Sequence, residues 1–328
     1  MAESDFFIEV RGLKKHFPLR QNLFRKTATE GVIKAVDGIS FKIRKSHSLG
    51  IAGESGCGKT TTGKMLLRLL TPTSGKFLFG GDDVIQLPSK EARKAFRQKA
   101  QLMFQNPYEA LNPRFTIARA IMEPLIIHDF GTKSERIDKV QQALQQVNLT
   151  PVEQFMDKYP HQMSGGQLQR VVLARALVIG PSFLVADEPV SMLDVSVRAG
   201  VLNLMRDITA DMQLTTIYIS HDLSLIQYMC ENTAIMYLGK IVEIGPTPIV
   251  LKNPQHPYTK ALIAAVPIPD PDYDAEEVRI HSHVPNPVNL PPGCLFQDRC
   301  YQVQEVCRRE VPELAEKEAG HQIACHLV

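Results

Sequence analysis

No stretch of this sequence approaches the roughly 18 consecutive apolar residues of a membrane-spanning helix, so the chain is not expected to cross a bilayer itself. Its start, MAESDFFIEV, lacks a basic segment followed by an apolar run, and no secretory signal is expected. Neither sign of charge predominates. With 37 basic against 35 acidic residues, the net charge of +2 gives no reason to expect nucleic acid as the main ligand. Internal repeats and low-complexity runs are lacking. Cysteines number only six, and a chain of 328 residues, 44% hydrophobic and 22% charged, can bury a full core without disulfide staples. A cytosolic setting is expected, in which thiols stay reduced.

What is present is unevenly spread. Short apolar runs at 6–10, 39–43 and 47–53 read as strands. An insertion at 18–31, with Arg20, Arg25 and Lys26, separates the first two and reads as a solvated loop. After Gly58 the period becomes helical, with Met65, Leu66, Leu69 and Leu70 on one face. A strand is expected at 99–105, then a mainly helical block over about 107–180. Further strands are expected at 182–189 and 214–220, with a helix from about Val195 between them, and then a hairpin over 233–245 turning near Gly239. Strands alternating with helices indicate an α/β domain, and the helical block inside it a helical subdomain. Residues 267–293 hold seven of the 22 prolines and read as a linker or extended arm. Behind it, four of the six cysteines (Cys294, Cys300, Cys307, Cys325) fall in the last 35 residues, read as a small separate unit.

The stretch GESGCGKTT (53–61) fits G-x-x-x-x-G-K-[ST] between an expected strand and an expected helix. Gly53, Gly56 and Gly58 let backbone N–H groups, with those of Cys57, Lys59, Thr60 and Thr61, close around phosphates. Lys59 is expected to reach the β- and γ-phosphates of ATP, and the Thr60 hydroxyl to hold Mg²⁺. Cys57, at a helix N-terminus, is expected to favour the thiolate and to react with maleimide unless nucleotide shields it, with a shielded and unreactive thiol as the competing reading. The run FLVADEP (183–189) ends a buried strand in Asp187, a second Mg²⁺ ligand, followed by Glu188, placed to polarise the attacking water.

At MSGGQLQR (163–170) the sequence resembles the signature of ATP-binding cassette (ABC) ATPases. The resemblance implies a P-loop cassette with a helical and an antiparallel β subdomain. It implies that Ser164, Gly165, Gly166 and Gln167 cap the nucleotide of a second cassette, head to tail. It also assigns Gln105 to the Q-loop and to Mg²⁺, Asp194 in SMLD to the D-loop, His221 to the γ-phosphate switch and Phe17 to adenine stacking. Met163 and Met192 stand where leucine and alanine are commoner in the family. The implied chemistry is ATP hydrolysis, with Lys59, Gln105, Glu188 and His221 as the catalytic group.

FQNPYEALNPR (104–114), ADEPVSMLDVSVRAGVLNLM (186–205) and NPQHPYTKALIAAVP (253–267) resemble the ATPase subunits of dipeptide/oligopeptide and nickel permeases. That branch implies a second, non-identical ATPase subunit, two integral membrane permease subunits, an external solute-binding protein, and peripheral attachment at the cytoplasmic face of the membrane. Rival readings are a nickel or other small-solute importer, or a soluble cassette with a metal- or redox-sensing role. The expected domains are a cassette over 1–266 and an arm with a four-cysteine extension over 267–328.

For that extension the residues alone leave several readings. The spacings C-x5-C, C-x6-C and C-x17-C match neither zinc knuckles nor the common ferredoxin pattern. Disulfides are disfavoured by compartment, and ordinary buried thiols are the plain alternative. A short proline-led unit nevertheless needs a staple. The permease resemblance implies a 4Fe–4S cluster on Cys294, Cys300, Cys307 and Cys325.

Overall fold

The computed structural model describes residues 6–19, 31–266, 285, 287–288 and 290–328. The basic insertion residues Arg20, Arg25 and Lys26, and most of the proline-rich arm, lie outside the described residues. In chain order the described strands are β1 Ile8–Pro18, β2 Val32–Ile43, β3 Ser48–Ala52, β4 Ser74–Phe79, β5 Asp82–Asp83, β6 Ala100–Met103, β7 Phe183–Asp187, β8 Thr215–Ser220, β9 Asn232–Tyr237, β10 Lys240–Pro246, β11 Ala315–Glu318 and β12 His321–Ile323. The chain divides into two compact units, one built on Gln86–Ile219 with Phe6, Phe7 and Arg44–His47, the other on Ile8–Ile43, Ser48–Ile85 and Ser220–Val328.

In the first unit β6, β7 and β8 run parallel, Val185 pairing with Leu102 on one side and Ile217 on the other. Every residue of β7 and β8 is buried, as expected of strands covered on both faces. The expected helical block is present as Pro107–Ala110, Ile117–Ile127, Lys133–Gln146, Glu153–Met156 and Gly165–Leu177. Local sequence fixes its starts. Thr132 and Glu135 form a reciprocal capping box, with Thr132 N–H donating to Glu135 Oε2 at 2.6 Å. The helix Val195–Asp211 also belongs to this unit.

The second unit holds two sheets. One is antiparallel, in the order β2-β1-β4-β5. In the other, β3 pairs parallel with β9, β9 antiparallel with β10, and β10 antiparallel with β12, which in turn pairs with β11. The expected hairpin is β9–β10, and Gly239 in its turn has φ 82°. A helix begins at Pro257, with His256 Nδ1 accepting the Tyr258 N–H at 3.1 Å as its cap.

The cysteine tail, expected as a small unit apart, belongs to this second unit. The reason is a shared core. Ile323 and Gln322 of β12 pair with Glu243 and Ile244 of β10. Phe296, 1% exposed, meets the rings of Tyr237 and Tyr258 at 5.3 and 5.5 Å. His321 Nε2 donates to Glu243 Oε1 at 2.8 Å, with both side chains fully buried. Among the described residues, no helix is long and apolar enough to cross a membrane.

Candidate functional site

Residues 53–58 form the turn from β3 into the helix Lys59–Leu66. Gly58 caps that helix at φ 108°, and a Cβ there would overlap the Ala35 carbonyl oxygen, so only glycine is accommodated. The cradle is tied to the β9–β10 turn, where Gly239 N–H donates to Cys57 O at 2.9 Å. The Lys59 side chain is buried and its ammonium folds back over the loop, donating to Gly53 O at 2.7 Å and Glu54 O at 2.9 Å. Thr60 is exposed on the first turn and Thr61 half-buried beside it. A glycine-lined turn with a lysine across its mouth suits a phosphate.

Of the two readings of Cys57, the shielded thiol fits its surroundings. It is 3% exposed, and burial raises its thiol pKa although Lys59 pulls the other way from 3.8 Å. Desolvation outweighs the pull of Lys59, so the thiol is shielded and held protonated rather than poised as a reactive thiolate.

Two further expected residues belong to this same unit. Phe17, on β1, is 37% exposed and carries Lys15 Nζ 5.0 Å from its ring centroid. His221 is exposed just beyond β8, next to Asp222, whose carboxylate caps the helix Leu223–Met229.

The remaining expected residues lie in the first unit. Asp187 closes β7 at 8% exposure. Glu188 follows at φ 46°, a left-handed conformation that strains a residue with a side chain, and its N–H donates to Ile219 O at 2.8 Å. Gln105 Nε2 donates to Glu188 Oε2 at 2.8 Å, so the structure brings these two together. Ser164 and Gln167 form a capping box at the start of the helix Gly165–Leu177, Ser164 N–H donating to Gln167 Oε1 at 3.1 Å. Gly165 and Gly166 lie on Leu193 and Val197, at the D-loop end of the helix that Asp194 begins.

Two residues that sequence reasoning passed over brace this set. Gln169, 1% exposed, donates to Pro189 O at 2.6 Å and links the signature helix to the segment after Glu188. Arg198 Nε donates to Leu193 O at 2.8 Å and fastens the D-loop. Gln169 sat inside the recognised motif, and only the burial of a polar side chain distinguishes it.

The four tail cysteines are free thiols. They line one cavity of about 10 Å³ with His256 and His326. Burial pushes the Cys294 thiol up to about 11 and also raises those of Cys300 and Cys325. Among the described residues no group of three or more His, Cys, Asp or Glu side chains is arranged to hold a metal ion. The 4Fe–4S cluster expected on Cys294, Cys300, Cys307 and Cys325 is therefore corrected. Such a cavity has room for about one water and not for a cluster. The staple that the tail was thought to need is supplied by the core it shares with β9 and β10.

The chain is similar to ATP-binding cassettes. The model of the ABC transporter family matches residues 36–191. The dimeric post-hydrolysis structure of the ATP-binding cassette MJ0796 with ADP and Pi superposes with a TM-score of 0.63 at 25% identity, over 73% of this chain and 98% of that one. The cassette cbiO1 from Clostridium perfringens, at 23% identity, shares the fold with a TM-score of 0.62 over 76% of this chain and 97% of its own. The particular branch follows from the rest of the chain. The oligopeptide/dipeptide transporter C-terminal region matches residues 242–307. The oligopeptide transport ATP-binding protein AppF of Bacillus subtilis (strain 168) is 42% identical over 99% of this chain and 98% of its own length. The dipeptide transport ATP-binding protein DppF of Haemophilus influenzae is 43% identical over 99% and 98%. The chain belongs to the ABC transporter family, among its oligopeptide/dipeptide ATP-binding proteins, and is an ATPase whose hydrolysis is coupled to transport.

Proposed function

We propose that this chain powers the import of peptides, binding and hydrolysing MgATP on the cytoplasmic face of a membrane as a peripheral subunit. In this reading Gly53, Gly56, Cys57, Gly58, Lys59, Thr60 and Thr61 cradle the phosphates, and Phe17 stacks on adenine. Thr60, Gln105 and Asp187 would hold Mg²⁺, which would offset charge on the phosphates. Glu188 orients a water whose oxygen attacks the γ-phosphorus as its bond to the β-phosphate oxygen breaks. His221 stabilises the charge that develops on the γ-phosphate. Ser164, Gly165, Gly166 and Gln167 act on the nucleotide of a second, non-identical cassette, with Asp194 at the contact. Two membrane permease subunits, fed by a solute-binding protein, are the remaining partners.

One observation carries the hydrolytic assignment. Glu188 is held in a strained conformation at the end of a fully buried strand, with its carboxylate engaged by Gln105 at 2.8 Å. Strain at a polar residue of this kind is retained where function demands the placement. Peptide as cargo is supported by what the two named relatives are called.

The test is reconstitution with the permease subunits and binding protein in proteoliposomes. Peptide should stimulate phosphate release and drive its own uptake. Glu188→Gln should still bind MgATP yet stop both. Wild-type turnover from the mutated site would remove Glu188 from the reaction, and uptake that ignores peptides in favour of a metal ion would replace the cargo.

A further inference from the structure

The phosphate loop carries an acid that its motif does not ask for, and the cysteine tail carries the cation that meets it. Glu54 directly follows Gly53, and its backbone carbonyl is one of the two that hold the Lys59 ammonium. Arg299 Nη1 and Nη2 donate to Glu54 Oε2 and Oε1 at 2.8 and 2.9 Å, a two-pronged fork. The Arg299 side chain is 7% exposed and that of Glu54 25%. The guanidinium also rests 5.7 Å from the Tyr237 ring centroid and 5.8 Å from that of Phe296. The Glu54 backbone is held independently, because its N–H donates to Tyr258 Oη at 2.9 Å. Arg299 itself is fixed by its own turn, its N–H donating to Phe296 O at 3.0 Å.

The charges matter because of what the loop receives. A triphosphate is polyanionic, and an unpaired carboxylate one residue from Gly53 would repel it. An acid on the loop is tolerable when an arginine neutralises it and restrains its rotamer. A buried arginine with a single carboxylate partner is committed to that partner, since losing either leaves an uncompensated charge.

We propose that Arg299 is a positioning residue for the nucleotide. By pairing with Glu54 it cancels a negative charge on the phosphate loop and steadies the loop, so that the C-terminal tail sets the affinity for MgATP. The proposal rests on the reading of residues 53–61 as the phosphate-binding loop. The tail thereby acquires a role that needs no metal.

The experiment is calorimetric titration of the purified full-length chain with Mg²⁺ and a non-hydrolysable ATP analogue. Arg299→Ala should raise Kd about tenfold, equivalent to about 1.4 kcal/mol. Glu54→Gln should tighten binding about twofold to threefold, because the pair is neutral in the wild type and the variant leaves the Arg299 cation uncompensated beside the polyanion. The double variant should return to within about threefold of wild type, since the acid that Arg299 neutralised has been removed. A purely packing role for Arg299 gives no such rescue. Arg299→Lys, which keeps the charge and loses the fork, should fall between, and it replaces Arg299→Ala in the comparison if that variant does not fold. Wild-type affinity in Arg299→Ala, or a double variant as weak as Arg299→Ala, overturns the proposal. A wild-type chain that binds no nucleotide would sink the phosphate-loop reading first, and this one with it.

Discussion

Glu243 offers a direct measure of how firmly the tail is joined to the cassette. Its side chain is fully buried and its carboxylate accepts three hydrogen bonds: from Gln255 N–H at 2.9 Å, from His256 N–H at 3.0 Å and from His321 Nε2 at 2.8 Å. One side chain on β10 thus joins three segments, its own strand, the turn before the helix Pro257–Ala264, and β12. Glu243→Ala removes both acceptor oxygens, and with them all three hydrogen bonds, at once. An orphaned buried donor costs about 1–3 kcal/mol. Three give a gross loss of about 3–9 kcal/mol, partly offset because a buried carboxylate no longer has to be desolvated. Broken buried pairs lose a net of about 3–5 kcal/mol, and a similar figure is expected here. For a cooperative unit of this size each kcal/mol moves the midpoint by about 2–4 °C, so thermal unfolding should fall by about 10 °C. Circular dichroism on the purified chain reads the midpoint, and limited proteolysis reads whether residues beyond 290 are released first. Glu243→Leu with His321→Leu replaces both members of the pair by apolar groups and should recover part of the loss, with a coupling energy of about 1–3 kcal/mol. A drop of less than about 3 °C for Glu243→Ala, with the tail still resistant, would falsify the view that this carboxylate fastens it.

Two further outcomes are expected. Gly58→Ala places a Cβ on the Ala35 carbonyl at φ 108°, whereas Gly56→Ala at φ 80° meets no atom within 4 Å; the first should lower the unfolding midpoint clearly more than the second, and equal effects would mean that backbone strain alone governs both. Burial lowers the pKa of His256 to about 3 in the folded chain, against about 6.5 unfolded. Between those values the unfolded state binds the extra proton, so stability falls as pH drops below about 6.5, by up to about 1.4 kcal/mol per pH unit from this residue. His256→Asn keeps a helix-capping side chain and should flatten the acid limb of the midpoint-against-pH curve; an unchanged limb would assign the acid sensitivity elsewhere.

How much could be read from residues alone depended on how local each signal is. The strand–turn–helix over 48–66 was legible because a strand, a glycine turn and a helix occupy one short stretch and each has a positional demand. The start of the helix Gly165–Leu177 was legible for the same reason, since Ser164 and Gln167 cap it within four residues. β7 announced itself as an apolar run closing in acids. The Gln105–Glu188 contact spans 83 positions, and family resemblance rather than spacing drew the two residues together. The tail fared worst. Its short strand β12 finds its partner in β10, and Arg299 finds Glu54 across 245 positions. Neither pairing leaves a periodic trace. Proline density and four cysteines then read as a coreless unit in need of a staple, and Phe296, which packs on the Tyr237 and Tyr258 rings, was too solitary a signal to correct that. The misreading and the further inference share this cause. A segment that borrows its core from elsewhere can be recognised only by the partners it reaches, and the partner that Arg299 reaches stands on the loop where the nucleotide is proposed to bind.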